Sequence, residues 1–151
     1  MSQSLSKLFI HIIFHIHSTS CPIKEDVGPK LYAYMGGILK DNHSQPILIN
    51  GVEDHIHILS DLHPSIALAD YVRDIKRATS GWLAASELFP DFKGWAEGYG
   101  AFTYTWRDRE KIINYIRNQR EHHKSYSYED EYRRLLKEFD IKIDERFFPE
   151  G

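Results

Sequence analysis

The sequence holds one cysteine, six prolines and nine glycines in 151 residues. Cys21 has no partner for an intramolecular disulfide, so stability must come from a packed core rather than from covalent staples. So little proline and glycine excludes collagen-like and low-complexity chains. Long apolar runs are also missing. The longest, Leu8 to Ile16, is interrupted by His11 and His15 and falls far short of the roughly 20 residues a membrane-spanning helix needs. No apolar signal-like segment leads the chain, which therefore reads as intracellular. The length and the 42% hydrophobic, 27% charged composition suit one soluble globular domain, residues 1–151.

An excess of charge of either sign is likewise lacking, with 19 Lys and Arg against 22 Asp and Glu. The net charge of −3 is nevertheless segregated: residues 125–151 hold 5 basic and 8 acidic side chains, and residues 1–124 hold 14 of each. The C-terminal extension, about 125–151, is thus acidic. Just before it, Arg107, Arg109, Lys111, Arg117, Arg120 and Lys124 outnumber Asp108, Glu110 and Glu121. This weakly basic patch suits either phosphate contact or a solvated helix face.

Hydrophobic periodicity orders the chain. Leu8, Ile10, Ile12, Phe14 and Ile16 alternate with a second set containing His11, His15 and His17, the period of a strand with one packed face and one that can be functional. Val27, Leu31, Tyr34, Met35, Ile38 and Leu39 follow at helical spacing over 25–40. Two β-rich runs, 46–52 and 55–59, read as a hairpin turning near Asn50 to Asp54. A long helix is expected over 66–88, a fourth strand over 99–104, and a helix from a Thr105–Asp108 capping box to about Lys124. A short helix over 129–139 and an edge strand or wrap over 141–148 close the chain. This order predicts an α+β sandwich on one mainly antiparallel sheet.

Two spacings carry chemistry. In His55-Ile56-His57 both imidazoles leave a strand on one side, close enough to hold one cation. His15-Ile16-His17 repeats the pattern, so spacing alone leaves two candidate pairs. On the helix, Tyr115, Gln119 and His122 fall at i, i+4 and i+7 and share a stripe apart from Ile112, Ile113 and Ile116. A tyrosine hydroxyl, with an ordinary pKa near 10, needs a cation or a base before it attacks phosphate. As a single feature, a helical tyrosine is more often a partly buried residue of an amphipathic face.

Together these residues resemble a known family. Ile10-His11-Ile12-Ile13-Phe14, Tyr34-Met35-Gly36-Gly37-Ile38-Leu39 and Asn50-Gly51-Val52-Glu53-Asp54-His55-Ile56-His57-Ile58-Leu59 are similar to the front half of the single-tyrosine transposases of bacterial insertion sequences, the insertion-sequence 200-like group. The resemblance continues through Ile75-Lys76, Thr79-Ser80, Trp95, Gly98 to Phe102, and Tyr115-Ile116-Arg117-Asn118-Gln119 with Glu121-His122-His123, spanning about 8–140.

The resemblance implies a ferredoxin-like fold and a DNA transposase that nicks and rejoins single-stranded DNA at hairpin-marked ends. Tyr115 would be the nucleophile of a transesterification through a 5′-phosphotyrosine, without ATP. His55, His57 and Gln119 would hold Mg2+ or Mn2+ as a neutral ligand set that leaves the cation its full charge. The family also implies a homodimer whose tyrosine helix completes the other subunit's site, with slack at Gly94, Gly98 or Gly100, working in the bacterial cytoplasm on the nucleoid. Candidate DNA contacts are His11, Lys76, Arg77, Arg117, Arg120 and Lys124.

The chain departs from the family after Phe14, where His15-Ile16-His17-Ser18-Thr19-Ser20 replaces a small residue followed by basic ones. Three alternatives stay open: a domesticated relative that binds or nicks hairpins without transposing, a non-catalytic nucleic-acid-binding module, and a zinc hydrolase using His55, His57 and His122 or His123.

Overall fold

A computed structural model describes residues 3–147. Strand β1 (Phe9–His15) is followed by α1 (Gly28–Asp41), the hairpin β2 (Pro46–Gly51) and β3 (His55–Asp61), α2 (Leu68–Ala85) and β4 (Gly100–Thr103). The strands form one sheet in the order β2-β3-β1-β4, with every neighbouring pair antiparallel. A βαββαβ chain in this order is the ferredoxin-like arrangement.

Local chemistry explains the hairpin. A Cβ on Gly51 would meet the His55 carbonyl oxygen at 2.5 Å, so only glycine lets β2 close onto β3 there. Val52 N–H donates to the same carbonyl, and Ile16 N–H to the Asp54 carbonyl, which fixes the turn against the end of β1. His55 therefore enters β3 directly opposite His15, and His57 opposite Ile13.

The sheet is covered on both faces. Ile10, Ile12 and Phe14 of β1 pack with Ile56 and Ile58 against Leu31, Met35 and Leu39 of α1 and Tyr71, Val72 and Ile75 of α2. The alternating pattern predicts one packed face of β1 and one that can be functional, and all seven residues of the strand are buried. That face lies under a second helical layer: α3 (Arg109–Arg117), α4 (Gln119–His122) and α5 (Tyr128–Glu138). Ile116 meets Phe9 and Leu59, while Tyr128, Tyr132, Leu135 and Leu136 meet Ile13 and Phe102.

Several expected details change. Thr105 does not cap a helix: its hydroxyl donates to the Asp108 carboxylate, 3.1 Å, and a 3-10 turn over Trp106–Asp108 precedes α3. The single helix expected to reach Lys124 kinks at Asn118, whose φ of −96° and ψ of 21° are far from helical values. There Asn50 of β2 donates its side-chain amide to the Ile116 carbonyl at 2.8 Å, taking an acceptor from the end of α3. The α5 start has a full capping box between Ser127 and Asp130. Residues 141–147 form no strand; they wrap with Ile143 on the α5 side and end in a 3-10 turn. Phe148, the last residue of the expected segment, lies outside the described residues. Gly94 (φ +103°) and Gly98 (φ +85°) serve turns, and a Cβ at Gly100 would press on Ile13 at 2.9 Å, so these glycines shape the approach to β4 rather than give slack to the tyrosine helix.

Candidate active site beneath the second helical layer

β3 presents His55 and His57 on the face covered by α3 to α5, with Ile56 turned into the opposite core. Both imidazoles are wholly buried. Each is oriented by a neighbour. His55 Nδ1 donates to the Asp54 carboxylate at 2.7 Å, which turns Nε2 inward. His57 Nδ1 lies 2.7 Å from His11 Nε2, and the two rings stack at 4.9 Å. A partner on one ring nitrogen, leaving the other aimed at the site, is how proteins prepare histidine for a metal.

From the helical layer come Tyr115 of α3 and Gln119 of α4. Gln119 is buried and puts Oε1 3.0 Å from His55 Nε2. The Tyr115 ring lies edge-on to His57 with centroids 6.1 Å apart and stacks on His122 at 5.0 Å. The residues expected to hold a cation and the expected nucleophile are therefore brought together. His15 and His17 are not: His15 is buried against Tyr128 at 4.8 Å, and His17 is exposed and bonded to Thr19 at 2.8 Å. The second His-x-His pair diverges because β1 ends at His15.

One central residue has no place in the spacing argument. Glu131 of α5 is fully buried amid these groups. Its Oε1 lies 3.1 Å from His55 Nε2, 3.2 Å from His57 Nε2 and 3.1 Å from His123 Nε2. Its Oε2 accepts from Gln119 Nε2 at 2.8 Å and from the Tyr115 hydroxyl. Ligand atoms of His55, His57 and Glu131 all lie within 4.8 Å of one another, close enough to hold a metal ion. A charged oxygen thus joins the neutral donor set that the resemblance implies. A local signal exists for it, because Glu131 stands within the apolar stripe Tyr128, Tyr132 and Leu135.

The electrostatics follow from burial and pairing. Burial opposes a charge on His55, but Asp54 and Glu131 outweigh it and raise its pKa to about 9. Burial and the His55 charge, against the pull of Glu131, leave His57 lowered; burial and His57 lower His11. Glu131 is held ionised despite burial because His123, His55 and His57 hydrogen-bond to it. Burial and then the Glu131 charge push the Tyr115 phenol well above its ordinary range.

The expected DNA contacts separate. His11 is wholly buried, with its Nε2 2.7 Å from His57 Nδ1. Lys76 donates to the carbonyls of Ala96 (2.9 Å) and Gly98 (2.6 Å), and with Arg77 it sits on α2, behind the sheet. Arg120 is tied to Glu53 at 2.7 Å and Glu25 at 3.3 Å, and Lys124 to Glu121 at 3.0 Å. Arg117 is exposed at the end of α3, two residues from Tyr115. Tyr115 itself meets His57 and Glu131 of its own chain, whereas the resemblance implies a place in a neighbour's site.

Comparison with known proteins agrees with the fold. A chain solved as a candidate transposase of Deinococcus radiodurans R1 is 22% identical, with a TM-score of 0.60 over 79% of this chain and 98% of that one. A REP-associated tyrosine transposase, solved bound to a REP hairpin, is 12% identical, with a TM-score of 0.51 over 78% of this chain and 72% of that one. At these identities the likeness is one of fold. No curated protein matches. The family model described as "Transposase IS200 like" matches residues 4–119, and the chain belongs to that family.

Proposed function

We propose that the protein is a single-tyrosine DNA strand-transfer enzyme acting on single-stranded DNA folded into hairpins, with Tyr115 as nucleophile. The observation that carries this reading is the hydrogen bond of the Tyr115 hydroxyl to Glu131, the buried carboxylate whose other oxygen faces His55 Nε2 and His57 Nε2. Family membership supports the reaction class, and the hairpin bound to the REP-associated neighbour supports the substrate.

The donor set fits a divalent cation. His55 Nε2, His57 Nε2 and Gln119 Oε1 face one another, and Asp54 and His11 hold the two rings from behind. These three residues would hold Mg2+ or Mn2+, which would polarise a scissile phosphate. The chain's own part in the reaction is positioning and proton control. The Tyr115 oxygen attacks phosphorus, a P–O(tyrosine) bond forms, and the bond to the 3′ oxygen breaks. That oxygen leaves and takes a proton from solvent; the phenolic proton passes to the carboxylate that already accepts it, Glu131. Attack on the phosphotyrosine by a 3′-hydroxyl reverses the exchange and joins strands. One phosphoester replaces another, so no nucleotide is consumed.

The substrate path must reach a half-buried phenol, and the exposed Arg117 at the end of α3 is the expected basic residue nearest to it in sequence, offered to a phosphate. No helix among the described residues is long and apolar enough to cross a membrane, and the reading puts the protein with DNA in the bacterial cytoplasm. On this reading one chain supplies every side chain the reaction needs, so a homodimer need not exchange tyrosine helices. The experiment is to mix the protein with labelled single-stranded hairpin DNA and Mn2+ and seek a denaturation-resistant adduct. It should form with the native chain and vanish in Tyr115→Phe. An adduct that persists in that variant moves the nucleophile elsewhere; no adduct with any hairpin or linear strand would favour a binding module.

A further inference from the structure

Hydrophobic packing does not account for Glu131. It stands fully buried in the stripe by which α5 grips the sheet, and a buried carboxylate is costly unless paired and hydrogen-bonded. Side chains from β3, α3, α4 and the residue after α4 meet it, and they divide between its two oxygens. Oε1 faces the imidazoles of His55, His57 and His123; Oε2 faces Gln119 Nε2 and the Tyr115 hydroxyl.

The distances have a second meaning. Neighbouring ligands of an octahedral cation with bonds near 2.1 Å lie roughly 3 Å apart. Glu131 Oε1 is 3.1 Å from His55 Nε2 and 3.2 Å from His57 Nε2, and Gln119 Oε1 is 3.0 Å from His55 Nε2. Atoms that hydrogen-bond one another here already stand at ligand spacing. One negative oxygen also suits a hard cation better than imidazole and amide alone. α5, which carries this carboxylate, lies beyond the family-matched residues 4–119.

Resting on the strand-transfer reading, we propose that Glu131 couples cation to nucleophile: Oε1 joins His55, His57 and Gln119 as a ligand, while Oε2 holds the Tyr115 phenol beside them. Glu131 then orders the cation and the phenol together, besides taking the phenolic proton, and α5 is part of the active site rather than an appendage.

Mn2+ titration followed by electron paramagnetic resonance, without DNA, tests the ligand. Glu131→Gln keeps the shape but not the charge and should weaken Mn2+ binding at least tenfold; Glu131→Asp should recover part of the loss; Tyr115→Phe should bind as the native chain does. At saturating Mn2+, Glu131→Gln should still form the DNA adduct at least tenfold more slowly. Native Mn2+ affinity in Glu131→Gln overturns the ligand role, and a native adduct rate at saturation overturns the coupling. If Glu131→Gln does not fold, hydrogen exchange in the native chain decides: Mn2+ must slow amide exchange across 129–135, and unchanged exchange overturns the proposal. Absence of any adduct with the native chain would remove the strand-transfer reading while leaving the Mn2+ result intact.

Discussion

The Tyr115 hydroxyl donates a hydrogen bond to Oε2 of Glu131, sixteen residues further along the chain. A phenol so held is in place but protonated, since burial and the facing carboxylate both raise its pKa. The same carboxylate's other oxygen is in reach of three imidazoles. Reactivity of the nucleophile and charge at the histidine pair are therefore linked through one side chain, and the chain's behaviour without divalent ions should show it.

Stability in EDTA should fall on both sides of neutrality. His55, raised from 6.5 to about 9, contributes stability fully present below pH 6.5 and lost as pH rises through 9. Glu131 is depressed from 4.5, and His57 and His11 from 6.5; their contributions exist above those unfolded values and are lost as pH falls through the folded ones. Calorimetry between about pH 6.5 and 9.5 should show a loss of roughly 3 kcal/mol from His55. Because that proton competes with a cation, Mn2+ affinity should climb through the same interval. Stability that does not fall across it would show that His55 is not held protonated.

Replacing His11 separates a positioning role from a DNA contact. His11→Leu leaves His57 Nδ1 without its buried partner, at a cost of about 1–3 kcal/mol, and should weaken Mn2+ binding about 10–100-fold. Hairpin affinity measured in EDTA should not change. Reduced hairpin affinity with native Mn2+ binding would restore the surface role.

Asn50 reaches across from β2 to the Ile116 carbonyl, 2.8 Å, at the α3–α4 kink. Asn50→Leu should lower stability by about 1–2 kcal/mol through that orphaned acceptor. It should also slow adduct formation more than it weakens hairpin binding, because Tyr115 and Gln119 flank the kink. Native melting and native rates would mean that the kink does not depend on this bond.

Charge placement makes a contrast between two arginines. Arg117 is on α3, two residues after Tyr115, and Arg77 is behind the sheet on α2. Arg117→Ala should weaken hairpin binding and reduce the slope of log affinity against log salt by about one, and Arg77→Ala should leave both unchanged. The reverse pattern, measured by fluorescence anisotropy over a salt series, would move the DNA to the other face.

What can be read from the chain depends on sequence distance. β1 to β4, α1 and α2 follow from local period and turn chemistry, and their bounds shift by only a few residues. His55, His57, Tyr115 and Gln119 follow from spacing on their own elements plus the family resemblance. The kink at Asn118 has no local sign, and the side chain that bonds there, Asn50, is 66 residues away in sequence from Ile116. His11 looks accessible in the sequence because alternation leaves its face open; the three helices that cover it come last in the chain. Glu131 is readable as a polar residue inside an apolar stripe, but its partners lie on other elements that no periodicity joins.

One chain brings its own tyrosine to its own histidine pair, and complementation between variants can test whether it also reacts there. Tyr115→Phe protein is mixed with a His55→Ala, His57→Ala double variant in the presence of hairpin DNA and Mn2+, and adduct formation is followed. The mixture should stay as inactive as either variant alone. Restored adduct formation, carried on Tyr115 of the double variant, would show instead that the tyrosine works at a neighbour's site.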